Sequence, residues 1–328
     1  MITLQLTPAD VEKVRFAYSP LIEVSGSFKA LQRPDMNIAY QAWIDETASK
    51  FEQIDFPYMS AMILAHCYIA DFLTPTPPKT SLSIEDEIAR MRETPDDVIR
   101  KNVEHIIELD SVSPIRREFL EHPREALECL IEEVRFYWQQ ALEPHWAQLS
   151  SILERDVLFR ARTLALDGID AMFMNLAEQI DYHQGMIRAH KNRIPHKAAV
   201  YRLQGTGIQL VPSVFASCGG SWQVEAPWLP MLIYQTRGLG LWNDEASAEP
   251  DEALQLTLGT SRARLLQILV EPAPTNDLAQ RLNLTAGAVS QQLGRLSQAG
   301  LIDSYRSGSK VYYRLSTRGE RLLDVFTE

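Results

Sequence analysis

The chain has 328 residues, 45 % of them hydrophobic and 9 % aromatic, so it can bury full cores and is excluded from the disordered class. Its length exceeds one ordinary domain, and two or more are expected. A formal net charge of −11 excludes a uniformly basic nucleic-acid binder and leaves only an uneven division of charge for that role.

Ile2 to Leu6 alternates apolar and polar residues, the pattern of a strand. Pro8 to Phe28 reads as a helix, and Phe56 to Phe72 as a largely buried one. Pro75, Pro77 and Pro78 make Leu73 to Ser83 a loop, because proline cannot hold a helix interior. Short helices are expected over Ile84–Arg92, Asp96–Leu109 and Ile115–Leu120. A strongly amphipathic helix follows over Arg124–Leu142, and a long one runs from Pro144 to about Ala177. Residues 1 to about 185 are thus mainly helical. From Ile194 the texture changes to strand-like runs broken by Gly and Pro. These predict a small antiparallel sheet near residues 198–237, with the N-terminal strand a candidate member. An acidic, Pro-containing stretch from Asn243 predicts a linker over residues 243–256.

Within this N-terminal domain, placed at residues 1–242, catalytic signatures are missing. There is no phosphate-binding Gly loop, no HExxH and no nucleophile elbow, so the chain is not read as an enzyme. Cys67, Cys129 and Cys218 lack ligand or pairing spacing and read as reduced, buried thiols. His183 and His190, seven apart, would share a helix face and with His196 form the one metal alternative. No Cys or carboxylate spacing supports it, and neither metal nor cofactor is expected. Arg188 to Lys197 is a basic tract in an acidic domain. A solvated turn is the plainer reading; an anion site using Arg188, His190 and Arg193 is the sharper one. Trp222 and Trp228, with Tyr234 and Trp242, are core residues or the walls of a small-molecule pocket. The first residues lack a signal peptide's charged lead and apolar core, and no apolar run reaches membrane-spanning length. A cytoplasmic protein without a membrane partner is expected.

Residues 257–328 carry the sharpest signal. They hold nine Lys/Arg and six Asp/Glu, a net of +3, leaving −14 for the rest. Thr275 to Leu282 is a short helix that Asn283 can close in a left-handed conformation. Thr285 caps a second helix, whose apolar positions Val289, Leu293 and Leu296 recur at helical intervals. Its other face carries Gly287, Ser290, Gln291, Gly294, Arg295 and Gln298, small or polar residues able to approach base edges. Two strand-like runs, Leu301–Tyr305 and Lys310–Leu315, flank a turn of Arg306, Ser307, Gly308, Ser309 and Lys310. That is a basic hairpin tip suited to phosphate. Helix-turn-helix plus basic hairpin is a winged helix. The candidate DNA contacts are Thr275, Thr285, Gly287, Ser290, Gln291, Arg295, Arg306, Ser307, Ser309 and Lys310. The outer helices offer Leu265, Leu266, Leu269, Leu322, Leu323 and Phe326, more apolar surface than the reading pair needs, which suggests a dimer. Completing one winged-helix core is the plainer use.

The segment from about Leu258 to Phe326 resembles the ArsR-type winged-helix repressors. The likeness rests on "SRARLLQIL", "TNDLAQRLNLTAGAVSQQLGRLSQAGLI", "SYRSGSKVYYRLS" and a closing helix. The whole chain looks like long ArsR-type regulators with a large preceding domain. The resemblance implies DNA binding and dimerisation. It does not imply metal sensing, because residues 257–328 contain neither Cys nor His. The fold expected is α+β and mainly helical, with a C-terminal winged helix. The function expected is a repressor binding double-stranded operator DNA as a homodimer, under small-molecule control through the N-terminal domain. The alternatives are a non-sensing DNA-binding and protein-interaction module, and an enzyme with an appended DNA-binding domain.

Overall fold

The computed structural model describes residues 2–34, 41–65, 68–79, 82–174, 176, 180–189, 199–216, 220–237, 252–269, 273–282, 284–307 and 310–326. The chain divides into two compact units, Met1–Arg237 and Gly238–Glu328. It is α+β and mainly helical, with small sheets.

The first unit opens with β1 (Ile2–Gln5), α1 (Pro8–Val11), β2 (Arg15–Phe16) and α2 (Pro20–Leu31). The single helix expected over Pro8–Phe28 is therefore three elements. Ser19-Pro20 is the reason: the Ser19 hydroxyl accepts from the Ile22 N–H at 3.1 Å while Pro20 fills the first helical position, which makes a helix start there. Then come α3 (Gln41–Lys50) and α4 (Pro57–Met62). The helix expected to Phe72 stops at Met62, where Ile63 bridges to Ile69 and Leu64 N–H donates to Tyr68 C=O. Next follow α5 (Ile84–Arg92), α6 (Asp96–Leu109), α7 (Pro114–Glu121), α8 (Pro123–Tyr137) and α9 (Trp146–Met174). Helix α8 passes into a π-helical turn over Trp138–Leu142. In α9 the helical backbone is broken at Gly168, whose φ is +85°.

The strands that follow are β3 (Ile180–His183), β4 (Met186–Ala189), β5 (Ala199–Arg202), β6 (Gln209–Ser213), β7 (Ser221–Gln223) and β8 (Met231–Gln235). They form two four-stranded sheets, β3-β4-β1-β5 and β2-β6-β8-β7, where one antiparallel sheet was expected. Both are mixed: β1 pairs antiparallel with β4 and parallel with β5, and β6 runs parallel to β2 and β8 while β7 opposes β8. Every residue of β6 is buried, as parallel pairing in a covered sheet requires. The hairpin β3–β4 falls where helix was expected. Gln184 and Gly185 both take positive φ, the requirement of a tight type I′ turn, and a Gln-Gly pair is a weaker signal than Asn-Gly. His183 thus lies on a strand, not on a helix face shared with His190, and His190, Arg193, His196 and Trp242 lie outside the described residues.

The second unit consists of α10 (Glu252–Leu258), α11 (Thr260–Ile268), β9 (Ala273–Pro274), α12 (Thr275–Arg281), α13 (Ala286–Gln298), β10 (Ile302–Ser307), β11 (Lys310–Leu315) and α14 (Thr317–Val325). The linker expected over 243–256 is shortened at its end. Residues 252–256 are helical, and Leu254, 1 % exposed, belongs to this unit's core; residues 243–251 lie outside the described residues. Leu265, Leu266, Leu269 and Leu323 join Leu254, Leu278, Val289, Leu293, Leu296, Ile302 and Leu315 in that core, and Leu322 and Phe326 pack partly against it. These side chains complete one winged helix and are not a spare face, as the plainer expectation had it. The large apolar residues left most exposed on the unit's helices are Leu256 at 81 % and Val325 at 66 %.

Candidate nucleic-acid interface

Two helices and a hairpin build the site. Helix α12 buries Leu278 and Ala279, and the Leu284 N–H returns to Ala279 C=O at 2.9 Å, closing the turn to α13. Asn283 lies outside the described residues. The Thr285 hydroxyl accepts from the Ala288 N–H at 3.2 Å and caps α13. Val289, Leu293 and Leu296 anchor α13 on the core. At its end Gly300 takes φ +68°, its N–H donates to Ser297 C=O, and the Leu301 N–H reaches back to Leu296 C=O. These two bonds are a Schellman closure, and Leu296 and Leu301 supply its apolar partners.

The opposite face of α13 is solvent-exposed. Gly287, Ser290, Gln291, Gly294, Arg295 and Gln298 all lie on it. Among the described residues, a Cβ on Gly287 or on Gly294 would meet nothing within 4 Å. Glycine inside a helix costs about 1 kcal/mol relative to alanine. Among the described residues, packing gives no reason for that cost at Gly294. Thr275 is half-buried at the start of α12, and the Thr285 hydroxyl, having accepted its capping bond, keeps a proton to donate.

The hairpin pairs Ile302 with Leu315, Tyr305 with Tyr312, Arg306 with Val311 and Ser307 with Lys310. Ile302 and Leu315 anchor its base in the core. Tyr305 and Tyr312 stack at 5.7 Å between ring centroids, 18° from parallel, and the Arg314 guanidinium sits 5.5 Å from the Tyr305 ring. Such contacts stiffen a projecting ribbon. Arg306 is exposed beside this stack. Ser307 and Lys310 are placed only as backbone positions at the turn, and Gly308 and Ser309 lie outside the described residues. Strand β9, unforeseen in the sequence, flanks the ribbon, pairing Pro274 with Tyr312 and Ala273 with Tyr313. Behind it α14 is held close: a Cβ on Gly319 would lie 2.0 Å from the Leu301 carbonyl oxygen. The Ser316 hydroxyl donates to Gly300 C=O at 2.6 Å and accepts from the Gly319 N–H at 3.1 Å.

The candidates in the first unit are more scattered. Arg188 lies half-buried on β4, in register with Thr3 and Asp181. Trp222 lies on β7 of the other sheet, partly packed on the core, and Trp228 is half-exposed in the turn before β8. Tyr234 is fully buried and donates to Asp156 at 2.6 Å, so it is core. The sequence reading missed a denser polar group. Tyr68 and Asp71 share a side-chain hydrogen bond, and burial pushes the Asp71 carboxyl up to about 6. Burial first, then Asp71 itself, raises the Tyr68 hydroxyl. His105 meets the Tyr68 ring edge-on at 4.9 Å, and Lys101 reaches Glu225 at 3.2 Å. No short motif marks this group, because its members come from one loop, one helix and a strand turn far apart in the chain.

Among known proteins, residues 261–303 match a family model described as winged helix-turn-helix DNA-binding. No curated protein and no solved structure matches the chain. The matched span runs from α11 through both helices of the turn into β10. The second unit therefore carries a winged helix-turn-helix DNA-binding domain. Among the described residues no helix is long and apolar enough to cross a membrane.

Proposed function

We propose that the chain is a cytoplasmic transcriptional regulator of the ArsR type, a repressor, that binds operator DNA as a homodimer. The observation that carries this reading is the solvent-facing side of α13. It presents uncharged donors and acceptors, one arginine and two glycines directly opposite the stripe that anchors the helix. Ser290, Gln291 and Arg295 read bases; Arg306, Ser307, Ser309 and Lys310 serve the phosphates; Thr275 and Thr285 stand at the helix starts. One such helix reads few base pairs, and two half-sites related by two-fold symmetry supply the rest.

The first unit takes a small-molecule effector in this reading and does no chemistry. The polar group around Tyr68 and Asp71 supports it, since perturbed titratable groups gather at binding sites. An effector acts only through unequal affinity for two arrangements of the dimer. Metal is not the signal, because residues 257–328 offer no Cys or His to hold one.

Selection of duplexes from a random pool by the full chain tests the proposal. A single enriched two-fold-symmetric sequence, whose placement between promoter elements blocks transcription in vitro, is the expected result. Enrichment of no sequence, with affinity set by salt alone, would reject it.

A further inference from the structure

Helix α9 presents one ridge of side chains to solvent. Glu154, Leu158 and Arg162 follow one another at four-residue spacing along it, and all three are exposed. Leu149, Leu153, Asp156 and Arg160 lie on the opposite side of the helix and are buried. Leu158 is 62 % exposed, on a stretch whose helical backbone runs unbroken to Gly168. Ala161 and Ala165 stand beside the ridge, and their small side chains leave an open groove next to Leu158.

A single exposed leucine is ordinary. This one sits midway between an acid four residues before it and a base four residues after it. Glu154 and Arg162 are about 12 Å apart along the axis, too far to pair with each other within one helix. A second copy of α9, antiparallel and related by a two-fold axis at Leu158, brings Glu154 of each copy beside Arg162 of the other. A parallel copy would set acid on acid and base on base. Ridges of this spacing interdigitate when two helices cross at about −50°, the commonest helix packing in globular proteins. The groove beside Ala161 and Ala165 then takes Leu158 of the second copy. The ridge is thus complementary to itself, as a two-fold interface requires.

We propose that the exposed face of α9 centred on Leu158 is where two copies of this chain associate, with reciprocal Glu154–Arg162 pairs on either side of the two-fold axis. This inference rests on the homodimer reading and names a contact for it in the first unit. Leu265, Leu266, Leu269 and Leu323 are taken up in the winged-helix core and do not supply that contact.

Sedimentation equilibrium of the full chain without DNA reads the dimer dissociation constant. Leu158→Glu sets two like charges at the centre of the contact and should raise that constant at least tenfold, with an unchanged circular-dichroism spectrum. Glu154→Arg and Arg162→Glu should each raise it at least fivefold, because each makes both flanking pairs repulsive. An equimolar mixture of these two charge variants should return to within threefold of wild type. One copy then carries two bases on the ridge and the other two acids. A Leu158→Glu chain that associates as tightly as wild type would overturn the proposal and place the contact elsewhere, leaving the homodimer reading intact. Charge variants whose mixture associates no better than either alone would overturn it as well. A wild-type chain that is monomeric at every concentration would instead reject the homodimer reading, and this contact with it.

Discussion

Gln291 and Gly319 show how single positions in this domain divide between reading and holding. Gln291 is exposed on α13, opposite the anchoring stripe. A side-chain amide can pair with both the N6 and N7 groups of adenine, and losing such a pair costs about 1–3 kcal/mol of discrimination. Gln291→Ala is expected to weaken cognate binding by about that amount and to leave non-specific binding nearly intact. Titration against the selected duplex and a scrambled one measures both; equal losses on the two would reassign Gln291 to a phosphate. Gly319 is the opposite case. Its missing Cβ is what lets α14 lie on the Leu301 carbonyl, and backbone cannot move aside as a side-chain tip can. Gly319→Ala is expected to destabilise the winged-helix unit by about 1–3 kcal/mol, the usual range for overpacking. Thermal or urea unfolding reads this, and a melting temperature at or above wild type would show that α14 can shift without cost.

At the scale of elements, the wing contributes charge on a stiff support. Arg306 is exposed at the end of a ribbon stiffened by the Tyr305–Tyr312 stack. Arg306→Ala should lower affinity for every duplex alike and reduce the log–log salt slope by about 0.9, the value of one phosphate contact. A slope equal to wild type would mean that Arg306 does not touch DNA. The winged helix was legible element by element because its signals are local. Thr285 caps, Gly300 closes, and apolar residues recur at helical spacing between them. Strand β9 was not legible, since two residues carry no period and pair only because β11 offers an open edge. In the first unit, α5 and α6 were legible from amphipathic spacing alone. The β3–β4 hairpin and the break at Ser19 were missed, the first because its turn is Gln-Gly and the second because a Ser-Pro start was read as helix interior.

For the molecule as a whole, the sequence located the DNA-binding unit but not the partners that hold the first unit together, because those are long-range. Glu23 of α2 accepts from the Val214 N–H at 3.1 Å. Glu87 of α5 accepts from the Ser19 hydroxyl and the Leu21 N–H, at 2.7 and 2.8 Å. Nothing near either residue in sequence announces a buried acid. Burial raises Glu23 from its ordinary 4.5 to about 8 and Glu87 to about 7, against hydrogen bonds that pull both the other way. The sign follows from proton counts. In the unfolded chain both carboxyls release their protons near pH 4.5, while in the folded unit they keep them to about pH 7–8. Between those limits the folded state binds more protons, so stability falls as pH rises. The contribution is whole below about pH 4.5 and lost once pH passes about 8. Asp71, raised by burial from 3.8 to about 6, adds the same trend at lower pH. The first unit should therefore melt at a higher temperature at pH 5.5 than at pH 8.5. The net charge of −11 also makes alkaline conditions unfavourable through self-repulsion, so the difference in the wild type alone is not diagnostic. The double variant Glu23→Gln, Glu87→Gln separates the two causes. An amide oxygen still accepts from Val214 and Leu21 but has no proton to lose in this range, and the change in overall charge is small. Differential scanning calorimetry of the full chain at the two pH values should show a clear drop for the wild-type first transition and a much smaller one for the variant. Equal drops in both proteins would assign the pH dependence to surface charge and show that the two buried acids do not control it.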